Sequence, residues 1–283
     1  MSNSFEPLFP SGQPTDAELA QALVRAAGDL ALGMRERGLQ GEQKTSVSDV
    51  VTAADRAAEA FIVEQLRRLR PEDGILGEEG AAHAGTSGRS WVIDPVDGTY
   101  NFLSGSTYWC SALALSQDAA GHDSASYGAA GQNAKDPQVL YGAVYQPQEG
   151  KLWCGGPGQP STLNGVSLEP LEDLPLGLLS AGTYLHPTWL GVPDARDPWL
   201  AAAGQLATFR LLGSGSCDLS RVAQGELGCW FQHSTALWDW LPGKAIVRAA
   251  GGDTAIVTVH GLDWFLAGSP MAVRELSAAL RSA

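Results

Sequence analysis

Two kinds of hydrophobic spacing follow one another along this chain, one with the period of a helix and one with the continuity of buried strands. Leu19, Leu23, Ala26, Ala27, Leu30 and Met34 recur at helical spacing. Thr15 and Glu18 form a T-x-x-E capping box ahead of them, and Gly38 closes the segment. This stripe is core packing and carries no chemistry. A second amphipathic helix is predicted from about Ala53 to Leu69, with Phe61, Ile62, Leu66 and Leu69 on its buried face. Thr52 stands at its cap and Pro71 beyond its end. Short strand-like runs follow at Gly74–Leu76, Trp91–Ile93 and Tyr108–Leu115, and Val139–Tyr145 and Lys151–Cys154 read as a hairpin joined at Gln146–Gly150. Between them, residues 118–138 are glycine, alanine and polar residues without a period, which predicts a surface excursion.

The last third alternates. A strand is expected to begin at Leu178–Ala181, a helix near 197–206, a strand ending at Leu212 and a helix from about Asp218 to Gln224. Trp230-Phe231 suggests another strand. A helix opens at Trp238, with Pro242 in its first turn and Gly251-Gly252 after its end. Ala255–Val259 reads as a strand, and Ser269 caps a final helix. The expected fold is mixed α/β (α+β), with layered sheets and helices. Residues 1–14, rich in proline, are expected to form a loose arm before a single domain, 15–283, made of two halves, 15–138 and 139–283.

Composition narrows the classes of partner. The net charge of −13 argues against nucleic acid and anionic membranes, both of which need a basic face. It does not exclude anionic substrates, because bound divalent metal inverts a local field. There is no apolar run of the roughly 20 residues that a membrane span needs. The opening MSNSFEPLFPSGQPTD has neither the basic nor the apolar region of a signal peptide. Cys110, Cys154, Cys217 and Cys229 are widely spaced, which predicts reduced buried thiols and a cytoplasmic location.

Chemistry concentrates in WVIDPVDGTYNF, Trp91 to Phe102. The apolar run stops at Asp94, and Pro95 biases that residue away from the helical region, so the chain is expected to turn there. Asp97-Gly98 is a turn dipeptide whose glycine lets a ligand approach the backbone N–H groups. Two carboxylates beside amide donors suit a divalent cation holding a phosphate. Other acidic residues are ambiguous alone. Asp55 lies in a first helical turn, where the helix dipole favours a carboxylate. Asp239 reads as a helix N-cap, and Lys44 as a solvated lysine. Of Glu78 and Glu79, strand alternation lets only one face inward, and Glu78 is the choice. If these carboxylates converge, their mutual repulsion requires cations, and an all-oxygen set without cysteine, with His233 set aside, points to Mg²⁺ or Mn²⁺ rather than zinc.

Together these segments resemble the inositol monophosphatase family of Mg²⁺-dependent, lithium-sensitive phosphatases. The matching motifs are D-V-V-T-A-A-D ending at Asp55, G-E-E at Gly77–Glu79, D-P-V-D-G-T at Asp94–Thr99, and W-D at Trp238-Asp239 followed by A-G-G at Ala250–Gly252. The resemblance implies a layered αβαβα sandwich of the sugar-phosphatase type. It implies that Glu78, Asp94 and the Val96 carbonyl bind one Mg²⁺, that Asp94, Asp97 and Asp239 bind a second, that Glu78 is a candidate for a third, weaker one, and that the Gly98 and Thr99 N–H groups hold phosphate. Thr99, paired with Asp55, would with Glu78 orient and deprotonate the water that attacks in line. Lys44 sits at the family spacing before Asp55 and is a further candidate. The implied substrate is a small phosphorylated metabolite, an inositol-like polyol or sugar. Fructose 1,6-bisphosphate, 3′-phosphoadenosine 5′-phosphate and histidinol phosphate are the alternatives, and a silent metal-binding scaffold is the non-enzymatic one. Homodimerisation is expected from the family. Gln232 stands where inositol phosphatases of the family carry a glutamate, and Gly215 and Gln232 are candidates for contacting the alcohol portion.

Overall fold

Thr15 and Glu18 do form the capping box. The Thr15 hydroxyl accepts from the Glu18 N–H, while the Glu18 carboxylate accepts from the Thr15 N–H and starts α1 (Asp16–Glu36). The structure, a computed structural model, describes residues 6–9, 12–38, 41–43, 50–117 and 136–283, without the side chains of 41–43 and 50–52. Lys44 and most of the expected 118–138 excursion lie outside the described residues. Within the N-terminal arm, the Leu8 N–H donates to Gln65, and Arg68 donates to the Phe9 carbonyl.

After α1 come β1 (Gly41–Gln43) and β2 (Val50–Thr52), an antiparallel pair, and α2 (Ala53–Leu69). The large sheet is built from β3 (Gly74–Gly77), β4 (Ala82–His83), β5 (Arg89–Asp97), β6 (Cys110–Gln117), β7 (Val139–Gln146), β8 (Lys151–Gly156), β9 (Gln159–Leu163) and β10 (Val166–Ser167), with α3 (Thr99–Leu103) between β5 and β6. Its order is β10-β9-β8-β7-β6-β5-β3-β4, antiparallel except for the parallel β3–β5 pair. The small sheet has the order β12-β11-β13-β15-β14, from β11 (Ser180–Thr183), β12 (Thr208–Arg210), β13 (Cys229–His233), β14 (Asp253–Val259) and β15 (Leu262–Gly268). Four further α-helices, α4 (Pro193–Ala203), α5 (Gly215–Ala223), α6 (Leu237–Ala249) and α7 (Pro270–Arg281), complete the described α-helices.

Packing follows from which faces are apolar. Leu19, Leu23 and Ala27 of α1 and Ile62 and Leu66 of α2 bury against Trp91, Ile93, Leu113 and Tyr141 on one face of the large sheet. Val92, Ala112, Ala114 and Trp153 face the other way, onto α5 and α6, which also meet Trp230 and Phe265 of the small sheet. Trp199 of α4 and Leu276 of α7 close the outer face of the small sheet with Phe231, Trp264 and Leu266. The order of layers is therefore helix, sheet, helix, sheet, helix, as expected. The central helix α6 packs on the large sheet over Gly142 of β7 and its cross-strand partner Gly155 of β8, which have no side chains there. A Cβ at Gly142 would collide with the Pro242 carbonyl oxygen, and one at Gly155 would come within 2.8 Å of Ala249 Cβ.

Several boundaries differ from expectation for physical reasons. The run at Trp91–Ile93 does not end at Asp94 but continues to Asp97. The predicted strand at Leu178 is a 3₁₀ turn, Leu176–Leu178, with β11 starting at Ser180. Helix α4 begins at Pro193, so Pro198, which resembles a helix start, sits inside it. Helix α5 starts at Gly215, with Ser214 as the cap. Helix α6 has Ala236 at its N-cap position, so Asp239 is not the cap but lies within the first turn, and Pro242 falls in the second. Ala236 makes no side-chain cap bond, which is why this start left no signal. The β14–β15 hairpin was not foreseen, because its turn places His260 as well as Gly261 at positive φ (50° and 79°), a geometry usually marked by Asn-Gly. The four cysteines are buried free thiols.

Candidate active site and acidic cluster

Asp94 and Asp97 are three residues apart, an odd spacing that in a regular strand would send their side chains to opposite faces. The structure removes that conflict with a bulge. Asp94 pairs with Ala112 and Asp97 with Cys110, so the interval holds one more residue on β5 than on β6. The bulge contains Pro95, whose missing N–H is tolerated where the ladder is already interrupted. Both carboxylates thereby face the central helical layer, as Val92 does, while Val96 turns back into a cluster with Ala31, Ala54, Phe102 and Trp109.

On that side they meet Asp239 from the first turn of α6. Oxygens of Asp94, Asp97 and Asp239 all lie within 4.8 Å of one another. Asp97 is held by the N-terminus of α5, where the Ser216 N–H donates to its Oδ2 at 2.5 Å. Burial pushes the carboxyl pKa of each member up. Asp94 rises well above the ordinary carboxylate range through desolvation and then the charges of Glu78, Asp97 and Asp239. Asp97 rises through desolvation, partly offset by the Ser216 and Ser214 donors. Asp239 is pushed up to about 7 by desolvation and then by Asp97. Asp94 Oδ1 is buried without a hydrogen-bond partner, and the groups around it are other carboxyls, which are acceptors when ionised. An orphaned buried oxygen in an all-oxygen cluster is the environment a hard divalent cation satisfies. The residues present fit such an ion.

Glu78 borders the cluster from the loop after β3, and its carboxyl too is driven well up by desolvation and by Asp239, Glu79 and Asp55. Its loop is held by a residue that sequence reading missed. The buried Glu59 carboxylate of α2 accepts from the Glu79 N–H at 2.9 Å and from the Ala81 N–H at 3.0 Å. A Cβ at Gly77 would collide with Glu59 Oε2, so that glycine is what admits the carboxylate. The one available signal was Glu59 standing on the apolar face of α2.

Asp55, fully buried in the first turn of α2, lies 3.4 Å from the Thr99 hydroxyl, which also reaches the Val96 carbonyl at 3.1 Å. Gly98 adopts φ +93°, and a Cβ there would press on the carbonyls of Gly213 and Tyr108. Asn101 of α3 donates to the Tyr108 and Leu212 carbonyls and so ties this turn to the segment leading into α5. Glu78, Asp97, Gly98, Thr99 and Asp239 open onto one cavity of about 770 Å³, to which Gly215 and Gln232 also contribute. His233 is not part of it. Its ring packs between Trp189 and Trp264. No described helix is long and apolar enough to cross a membrane.

Comparison with known proteins agrees with this geometry. An inositol-1-monophosphatase of Rhizobium meliloti (strain 1021) is 31% identical over 243 residues, covering 83% of this chain and 82% of that protein. The Nus factor SuhB of Escherichia coli (strain K12) is 29% identical over 277 residues, covering 93% and 94%. Among solved structures, the Thermotoga maritima IMPase superposes with a TM-score of 0.76 at 24% identity, over 94% of this chain and 96% of that one, which is a likeness of fold. Residues 14–122 and 133–280 match the Inositol monophosphatase family. The chain belongs to the inositol monophosphatase family.

Proposed function

We propose that this protein is a Mg²⁺-dependent phosphomonoesterase acting on a small phosphorylated alcohol. The observation that carries the reading is the buried Asp94–Asp97–Asp239 cluster, with an orphaned Asp94 oxygen, at the floor of a cavity that also holds Thr99 and Gly98. Glu78, Asp94 and the Val96 carbonyl would hold one cation, and Asp94, Asp97 and Asp239 a second, with Asp94 shared. Bound cations supply charge neutralisation at the transferring phosphoryl group.

The remaining work falls to the chain. The first turn of α3 presents the Gly98 and Thr99 N–H groups to phosphate oxygens. Asp55 accepts from the Thr99 hydroxyl, freeing the Thr99 oxygen to accept from the attacking water, and Glu78 takes that water's proton. The raised pKa of Glu78 in the metal-free chain reflects burial among carboxylates, and cation binding would return it to a proton-accepting form. Gln232 and Gly215 face the alcohol portion. A silent scaffold is the weaker reading, since such a chain has no need to keep these acids and Thr99 together. Lithium inhibition and a cytoplasmic homodimer accompany the enzymatic reading.

The decisive measurement is phosphate release from myo-inositol 1-phosphate, fructose 1,6-bisphosphate, adenosine 3′,5′-bisphosphate, histidinol phosphate and an adenosine monophosphate, with Mg²⁺ and with EDTA. Release that requires Mg²⁺ on at least one of them is expected. It should disappear in Asp94→Asn while the melting temperature is maintained. No Mg²⁺-dependent release on any substrate would overturn the proposal.

A further inference from the structure

The helix that brings Asp239 to the acidic cluster is poorly held by its own backbone. The N-cap position of α6 is Ala236, whose side chain cannot accept from the first-turn N–H groups, and the Thr235 hydroxyl just before it is buried without a partner. Pro242 in the second turn has no N–H, so the Trp238 carbonyl lacks its helical donor. The start of α6 is thus short of both a cap and one of its first backbone bonds, and Asp239 lies between the two gaps.

Asp136, ahead of β7, grips this weak stretch from the side. Its Oδ1 accepts from the Trp240 indole N–H at 3.2 Å and from the Lys244 ammonium at 2.5 Å, and the same ammonium donates to the Pro137 carbonyl at 3.1 Å. Trp240 and Lys244 are four residues apart and lie on one face of α6, two residues to either side of Pro242. One carboxylate oxygen therefore bridges the turn that the proline weakens. The Lys244 side chain is only 7% exposed, so its pairing with Asp136 is a buried contact and not a chance surface pair. The small sheet holds the other side of the Trp240 indole, which stacks on Trp230 with ring centroids 5.9 Å apart and meets Phe265 edge to face at 5.3 Å. Asp136 and Lys244 do not line the cavity over the cluster but border a separate groove beside residues 156–160, so they act on the site only through α6.

Resting on the cation site of the reading above, we propose that Asp136 is a positioning residue for Asp239. By holding Trp240 and Lys244 together it replaces the missing cap and backbone bond, fixes the rotation of the first turns of α6, and sets the Asp239 carboxylate beside those of Asp94 and Asp97.

Removing Asp136 alone would strand a buried ammonium, so the test variant combines Asp136→Ala with Lys244→Met, which removes both charges and the indole's acceptor. Amide hydrogen exchange is followed by NMR in the metal-free protein. Exchange at Trp240 and Leu241 is expected to quicken about tenfold while amides of α7 stay within about twofold, since a general loss of stability would quicken both alike. Calorimetric titration should show Mg²⁺ bound about tenfold more weakly. The backbone at Ala236 (φ −69°, ψ 161°) nearly matches that of Thr15, the cap of α1 (−62°, 161°), so Ala236→Ser adds a local cap. Added to the double variant, it should recover about threefold or more in both measurements. Mg²⁺ affinity within about twofold of wild type, equal changes in α6 and α7, or losses that Ala236→Ser does not recover would overturn the proposal. If the double variant does not fold, Trp240→Phe takes its place. It keeps the ion pair and the ring packing but deletes the N–H, and must show the same pattern at about threefold, its absence being equally decisive. A wild-type protein that takes up no Mg²⁺ counts against the phosphatase reading instead, and the exchange measurements then decide the role of Asp136 alone.

Discussion

At the residue scale, Glu59 shows how much of a site depends on groups that never touch a substrate. Its two oxygens accept the Glu79 and Ala81 N–H groups, so it fixes the turn from which Glu78 projects. Glutamine can offer only one acceptor in that position, and its amide N–H₂ would face the other donor. Leaving a buried donor unmatched costs on the order of 1–3 kcal/mol. Glu59→Gln is therefore expected to lower kcat by about tenfold with KM within about threefold, while Mg²⁺ still raises the melting temperature. Steady-state kinetics and thermal melts measure both, and a change confined to KM would contradict the positioning role. The residues of the acidic cluster and the adjoining turn were legible because each stands in a short motif, as at Asp97-Gly98. Glu59 was not, because a glutamate on a helix reads as solvated until the loop it caps is folded beside it.

At the scale of elements, the decisive contact is α6 against β7 and β8. The Gly142–Gly155 pair leaves room for the helix that carries Asp239 to lie against the sheet. Gly142→Val inserts a branched side chain where the Pro242 carbonyl already lies. Overpacking of this kind costs about 1–3 kcal/mol or more. The expected outcome is a lower unfolding free energy in urea, and activity reduced beyond what the lost stability explains, because α6 moves with Asp239. Full activity in the folded variant would show that the helix position is not critical. The capped starts at Thr15 and Ser269 could be read in advance, whereas α5, capped by Ser214, was expected only from about Asp218. Starts without a capping side chain, at Ala236 and Val192, could not be read, since tertiary packing rather than local bonding sets those ends.

At the scale of the whole molecule, His233 links stability to pH from the small sheet. Burial between Trp189 and Trp264 lowers its pKa to about 4 from the ordinary 6.5. Between those values the unfolded chain binds a proton that the folded one refuses, so stability falls as pH drops below about 6.5 and the loss is complete below about 4. The full loss is on the order of 3 kcal/mol. Urea unfolding of wild type and His233→Phe should therefore diverge over that window, with the variant less acid-sensitive; parallel curves would contradict the assignment. The alternation of helical and strand periods made a layered α/β fold legible and the family resemblance supplied the layer order, whereas a cross-strand contact such as His233 with Trp264 was not legible. The bulge in β5 has a reach of its own. It converts an odd interval into two groups facing the same way, so the acidic cluster depends on the bulge as much as on the two aspartates. Loss of one residue between them would leave an even interval, which a regular strand already directs to one face, and would remove the interruption that Pro95 occupies. The bulge is therefore what lets a proline stand inside a buried strand that carries two members of the cluster.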